Sequence, residues 1–339
     1  MRKLLSGLTM ACVLLFSCSK EDDDGTFSEA NLVSFELSES CTCNEQIDRV
    51  LLDFDYRQIH IFPDTDNKSS EYPINLRPDI VLSPGATSMP GSSEDISFES
   101  IDDIIEYNIV SEDKNTSTVW YARMRDKQLP GADFEVWHDA TGMEGPFKSP
   151  GNNEHTTIWA TANVGTSTYS VYGTVPLEDG DNTMVKIITG ETVAVPVTAG
   201  TLYTGRFDLQ GAIANPTDPE KATDFGIPFI YKPTALKVSM SYMSGEQLIQ
   251  GELKDPGNLF GGFNVENAAG VDTFKIYGYL ERVTDIDTLL IASMELEGSN
   301  TPTSELTEVT IPFIYESDET PTQISLIFTS SANGHHWRG

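Results

Sequence analysis

The chain has 339 residues, enough for two domains at about 150 residues each. Its 52 acidic residues outweigh 21 Lys and Arg, and a formal net charge of -31 repels polyanions and argues against nucleic acid as a partner. With 39% hydrophobic and 9% aromatic residues the chain can still bury a core, so bulk disorder is excluded too.

At the amino terminus, Arg2 and Lys3 precede an apolar run from Leu4 to Phe16. A membrane-spanning helix needs roughly 20 residues, so the run reads as the core of a signal peptide. It ends Leu15-Phe16-Ser17-Cys18, which resembles the lipobox of bacterial lipoproteins, with Phe16 where small residues are usual. The resemblance implies a signal over 1–17 and lipidation of Cys18; an ordinary cleaved signal is the plainer alternative. Residues 18–30 read as an acidic tether, and Ser19-Lys20-Glu21-Asp22-Asp23-Asp24-Gly25 resembles the export tag of Bacteroidetes surface lipoproteins. The expectation is a surface-exposed protein anchored to outer-membrane lipid through Cys18. Cys41 and Cys43 are spaced C-x-C with no His nearby, which does not suit zinc; a local disulfide and two free thiols both stay open.

From 31 to 127, short alternating or β-branched runs broken by turn residues predict an all-β sandwich. Its strands are expected at Leu32 to Leu37, Val50 to Phe54, Gln58 to Phe62, Tyr107 to Val110 and Val119 to Met124. Ser83-Pro84-Gly85 has the residues of a type II turn. Leu82-Ser83-Pro84-Gly85-Ala86-Thr87, Pro90, Asp95-Ile96-Ser97-Phe98 and the run from Glu106 to Asp113 resemble the immunoglobulin-like domains that precede ligand-binding domains in Bacteroidetes lipoproteins. The resemblance implies a spacer.

Gln128-Leu129-Pro130-Gly131 reads as a linker, and a second domain is expected over 132–339. Strands are expected at Thr156 to Ala160, Tyr169 to Val175, Met184 to Ile188, Thr192 to Val197, Leu236 to Tyr242, Thr273 to Leu280, Leu289 to Met294, Leu306 to Ile311 and Ile324 to Phe328. That many strands without helical periodicity favour a jelly-roll β-sandwich. Ile227-Pro228-Phe229-Ile230-Tyr231 recurs as Ile311-Pro312-Phe313-Ile314-Tyr315, and each Pro marks a strand edge or start.

Ala199-Gly200-Thr201-Leu202-Tyr203-Thr204-Gly205-Arg206-Phe207, Phe225-Gly226-Ile227-Pro228-Phe229 and Lys232-Pro233-Thr234-Ala235-Leu236-Lys237 resemble the putative carbohydrate metabolism domain of Bacteroidetes lipoproteins. Phe134-Glu135-Val136-Trp137 and Trp159-Ala160-Thr161-Ala162-Asn163 extend the likeness, whereas Val238-Ser239-Met240-Ser241 is poorer in Gly and aromatics than the family. The chain ends at His335-His336-Trp337-Arg338-Gly339, before the closing strand many such domains carry, so truncation is an expectation. The family has no agreed reaction; the resemblance implies a glycan partner, no cofactor and, by analogy with binding modules, calcium as a structural ion.

Sugar recognition needs a flat apolar surface for C–H groups and polar groups for hydroxyls. Trp137, Trp159 and Tyr172 are the stacking candidates, with Tyr203 behind them, and His138, Asp139, Asn163 and Arg206 the hydrogen-bonding candidates. Each has a plainer reading as a core or surface residue. Glycan capture without catalysis is the first expectation. A hydrolase would need two carboxylates at about 5 or about 6.5–9.5 Å, drawn from Glu135, Asp139 and Glu154; a structural or adhesion protein would use the Trp residues as core. No G-x-S-x-G elbow, P-loop or dinucleotide fingerprint occurs. Asp64-Thr65-Asp66-Asn67 and Asp179-Gly180-Asp181-Asn182 begin like calcium loops but reach Asn75 and Gly190 where Glu is required. Asp287-Thr288-Leu289 resembles a Bacteroidetes O-glycosylation site.

Overall fold

The computed structural model describes residues 26–332 apart from 39–42, 44–45, 65–71, 143, 193–194, 209–210, 212–213, 215–222, 256–260, 285, 299 and 302–304. The signal, Cys18, the acidic block, Cys41, most of the first calcium-like motif and the terminal His pair lie outside the described residues. Cys43 is disulfide-bonded. The fold is all-β, and among the described residues no helix is long and apolar enough to cross a membrane. Two compact units divide between Met124 and Arg125.

In the first unit a five-stranded sheet runs in the order Ile47–Asp53, Gln58–Pro63, Ser117–Met124, Ile104–Val110, Thr87–Met89. Gln58–Pro63 and Ser117–Met124 are parallel; the other neighbours are antiparallel. Two strand pairs, Leu32–Leu37 with Pro78–Leu82 and Ile74–Leu76 with Ile96–Phe98, share one core with this sheet. Strand alternation explains the partition: Tyr107 and Ile109 are fully buried while Glu106 and Asn108 face solvent. Gly85 sits at φ 71° in the Ser83 to Ala86 turn, where Ala86 N–H donates to the Ser83 carbonyl at 3.1 Å. A Cβ at Gly85 would come within 2.6 Å of the Glu112 side chain, so this corner of the turn requires glycine.

The second unit is built on an eight-stranded sheet. Its main path is Trp159–Thr161, Thr201–Phe207, Gln323–Thr329, Phe274–Val283, Thr288–Gly298, Ile314–Tyr315, with Thr223–Phe225 beside Thr201–Phe207 and Ile227–Pro228 beside Gln323–Thr329. One face carries Leu202, Ile276, Leu280, Met294 and Leu326 into a core that includes Ile311 of the Ala235–Met240 and Thr307–Pro312 ribbon, making a sandwich. Burying such side chains stabilises by about 1.5–3 kcal/mol each. The echoed segments both end a strand at their Pro, and Phe229 and Phe313 are buried in this same core.

Expected strands change in three places. Of Thr156 to Ala160, Thr156 lies in a turn and the strand begins only at Trp159. The described residues of Thr192 to Val197 form no strand, and Val195 N–H donates to Thr192 Oγ1 at 2.8 Å. Tyr169 closes a 3-10 turn and the following strand starts only at Thr174. Asp179-Gly180-Asp181-Asn182 is the tight turn of the Thr174–Asp179 and Asn182–Ile187 hairpin, with Gly180 at φ 66°.

Candidate functional site

The predicted aromatic cluster lies around a hairpin of Trp137–Gly142 and Gly145–Pro150. Its residues are mostly occupied in holding that hairpin. Trp159 is 3% exposed, with Phe134 and Phe328 at ring-centroid distances of 5.0 and 6.4 Å and its indole N–H donating to the Pro130 carbonyl at 2.9 Å. No ring face is left for a sugar, so Trp159 is a core residue. Trp137 is half-buried and donates to the Phe134 carbonyl at 2.8 Å. The two indoles thus fix the Pro130 to Trp137 segment, in which Phe134 adopts φ 57°.

Asn163 is 1% exposed; its amide donates to the Thr174 carbonyl at 2.5 Å and accepts from Thr174 N–H at 3.1 Å. This is an internal clamp, unavailable to ligand. Tyr172 is half-buried and stacks on Phe147 at 6.0 Å. Arg206 donates to the Glu154 and His155 carbonyls at 2.8 and 3.3 Å. His138 Nδ1 meets the Gly151 carbonyl at 2.9 Å, and Asp139 pairs with Lys148 at 2.9 Å. The carboxylates considered for hydrolysis have separate partners: Glu135 accepts from Thr183 N–H at 2.9 Å, and Glu154 lies 3.7 Å from His155.

A different surface carries an exposed aromatic ring, Tyr279. On Phe274–Val283, residues 274, 276, 278 and 280 are buried, so Lys275, Tyr277, Tyr279 and Glu281 form the opposite face. Register places Ser325 and Ser293 on either side of Tyr279, and Ile314 beyond Ser293. Small hydroxyl neighbours leave the ring open: Tyr279 is 37% exposed and Ile314 67%. Tyr277 meets Tyr279 edge to face at 6.1 Å. Toward Gln323–Thr329 the same face closes, because Ser325 and Ile327 are buried, and it stays closed at Thr201–Phe207, where Tyr203 is buried and meets Phe225 at 5.2 Å. Gly205, at φ 133°, permits that closure: a Cβ there would fall 2.2 Å from the Asp224 carbonyl oxygen.

The open face is mixed in charge. Lys275 Nζ pairs with Glu295 at 3.0 Å and sits 5.4 Å from the Tyr277 centroid. Burial pushes the Glu281 carboxyl above the usual carboxylate range. Near the other end of the strand, burial likewise raises Asp272, although the Ser331 hydroxyl donates to it at 3.0 Å. Tyr242 is pushed up to about 12, chiefly by burial and further by Asp272. Among the described residues no group of three or more His, Cys, Asp or Glu is arranged to hold a metal ion.

The Tyr279 ring, with the half-buried Ser293 on one side, the Glu281 carboxylate and the Gln323 amide, which lies across from Glu281, can take a sugar's C–H surface and its hydroxyls, while Ser325 on the other side is 2% exposed. Sequence reading located this strand but not its outward aromatics. The available signal was Tyr277-x-Tyr279 at period two, interleaved with Ile276, Gly278 and Leu280.

Two solved structures are similar over most of their own length. One, described as a putative glycoside hydrolase from Bacteroides thetaiotaomicron VPI-5482, is 22% identical with a TM-score of 0.51, over 92% of this chain and 93% of that one. The other, described as a putative glycoside hydrolase from Bacteroides vulgatus ATCC 8482, is 20% identical with a TM-score of 0.50, over 63% of this chain and 94% of that one. At these identities the likeness shows a shared fold. No curated protein matches the chain. The family model described as "Putative carbohydrate metabolism domain" matches residues 98–339, beginning at the end of the Ile96–Phe98 strand, well before Phe134 where the sequence resemblance was placed. With its fold and most of its length accounted for in this way, the chain belongs to the putative carbohydrate metabolism domain family.

Proposed function

We propose that the second unit binds carbohydrate on the open tyrosine face of its eight-stranded sheet and captures glycan without cleaving it. The observation that carries the reading is Tyr279, a ring 37% exposed on a regular strand between two serines. Rigid strands hold such a platform in one geometry, which lowers the ordering cost of binding. The family supports a carbohydrate ligand, and the two similar structures from Bacteroides, both described as putative glycoside hydrolases, point to the same substrate class. The first unit would act as an immunoglobulin-like spacer, and the Leu15-Phe16-Ser17-Cys18 run supports anchoring at the outer membrane through Cys18. Labelled fatty acid should then attach to the wild-type chain and not to Cys18→Ala.

The test is a glycan array on the full chain, followed by calorimetry on the sugars that bind. Tyr279→Ala should weaken affinity about tenfold, the equivalent of about 1.4 kcal/mol, with the unfolding temperature unchanged. Loss of binding in Trp137→Ala, with Tyr279→Ala behaving as wild type, would move the site to the hairpin. A blank array would end the carbohydrate reading.

A further inference from the structure

Glu281 is the least accounted-for group on this face. It is half-buried, and its carboxylate has no hydrogen-bond or ion-pair partner among the described residues. Its cross-strand neighbours, Leu290 and Gln323, bring no charge, and the adjacent Arg282 lies on the other side of the strand, paired with Glu319. Lys275, six positions back on the same face, is already held by Glu295. An anion removed from water without a counter-charge is unfavourable, and a ligand that brings positive charge relieves it.

Two positions away on the same face is the exposed ring of Tyr279. Two residues of strand separate their Cα atoms by about 6.7 Å, a span that one pyranose ring and an amino substituent can cover. The ring face also attracts cations through its quadrupole. The net charge of -31 concentrates cations near the surface and repels uronate-rich or sulfated chains.

We propose that this face selects saccharides bearing a primary ammonium group, with the sugar ring stacked on Tyr279 and the ammonium seated against Glu281. The inference rests on the carbohydrate-binding reading and names its ligand class. Gln323, whose amide donates to the Phe225 carbonyl at 3.0 Å, is held beside Glu281 with its own oxygen left to accept from the same ammonium or from a hydroxyl.

The experiment is calorimetry on the full chain with four probes: a β-1,4-linked glucosamine oligomer, its fully N-acetylated counterpart, a glucose oligomer of the same length, and spermine. The amino oligomer should bind at least tenfold more tightly than the two uncharged oligomers. Glu281→Gln should erase that preference, bringing the amino oligomer down to the affinity of the two uncharged oligomers. Glu281→Ala, which also removes the polar head that Gln keeps, should lose the preference in the same way. Equal binding of charged and uncharged oligomers, or a preference that survives both variants, overturns the inference and leaves the carbohydrate reading standing. Spermine binding as tightly as the amino oligomer, with both lost in Glu281→Gln, overturns selection of a sugar. If no oligomer binds, the carbohydrate reading itself fails; if Tyr279→Ala binds all of them normally, the site is not on this face and the inference falls with it.

Discussion

The second unit uses aromatic residues in two contrasting ways. Around the 137–150 hairpin, Trp159, Trp137, Phe134, Phe147 and Tyr172 lean on one another, and both indole N–H groups are spent on backbone carbonyls. On the Phe274–Val283 strand, Tyr277 and Tyr279 rest on a finished core formed by their neighbours and turn outward. The difference is one of support. An aromatic residue that must position its own loop has no face to spare, whereas one raised on a regular sheet costs the fold little and stays available.

The sharpest way to break this contrast is Trp159→Ala. A buried indole with two aromatic neighbours should cost about 3–5 kcal/mol, read as a large fall in the unfolding temperature. A small fall would mean the hairpin does not depend on it. Asn163→Ala comes next: it leaves the Thr174 N–H and carbonyl without their side-chain partner, at about 1–3 kcal/mol for each buried group, measured by denaturant unfolding. A neutral result would return Asn163 to the list of ligand candidates. Trp137→Phe keeps the ring and removes one hydrogen bond, so about 0.5–1.5 kcal/mol of stability should go, with sugar affinity unchanged.

The smallest effect concerns pH. The Asp272 carboxyl is raised by burial, so the folded state holds its proton more tightly than the unfolded chain does. Its contribution to stability is present below the ordinary carboxylate value of about 3.9 and is lost as pH rises through the raised value. Asp272→Asn should flatten that decline in stability curves, by less than about 1 kcal/mol once solvent screening is counted. A steeper decline in the variant would contradict the sign.

The fold class was legible because Phe274–Val283, Gln323–Thr329 and Ser117–Met124 carry long apolar or alternating runs that stand out in one dimension. Thr201–Phe207 escaped as a strand because Gly205 interrupts it, and the reason for that glycine, the close approach of Asp224, is a tertiary fact. The hairpin at Trp137–Pro150 was unreadable for a similar reason: His138, Asp139, Gly142, Gly145 and Lys148 are weak strand formers, and backing from the rest of the unit overrides propensity. Thr192 to Val197 failed in the opposite direction: a β-branched run looks extended, yet its described residues form no strand and the Thr192 hydroxyl takes the Val195 N–H. At the site, rarity of Trp drew attention to residues that burial then claimed. Tyr279, the tyrosine of that strand that stays exposed, is one of 12 in the chain, and only its phase against the core residues distinguishes it.

The Thr288–Gly298 strand has one further consequence. Among the described residues its outer side is paired at Ala292 and Ser293 alone, by the two-residue strand Ile314–Tyr315, with the Ile291 carbonyl also taken by Glu316 and Ser317 N–H groups. An eleven-residue strand with so much open rim is a template on which another extended chain could add. Glu295 and Glu297 stand along that rim, both exposed. Two copies approaching edge to edge would bring like charges together, and that repulsion opposes growth of the sheet by strand addition.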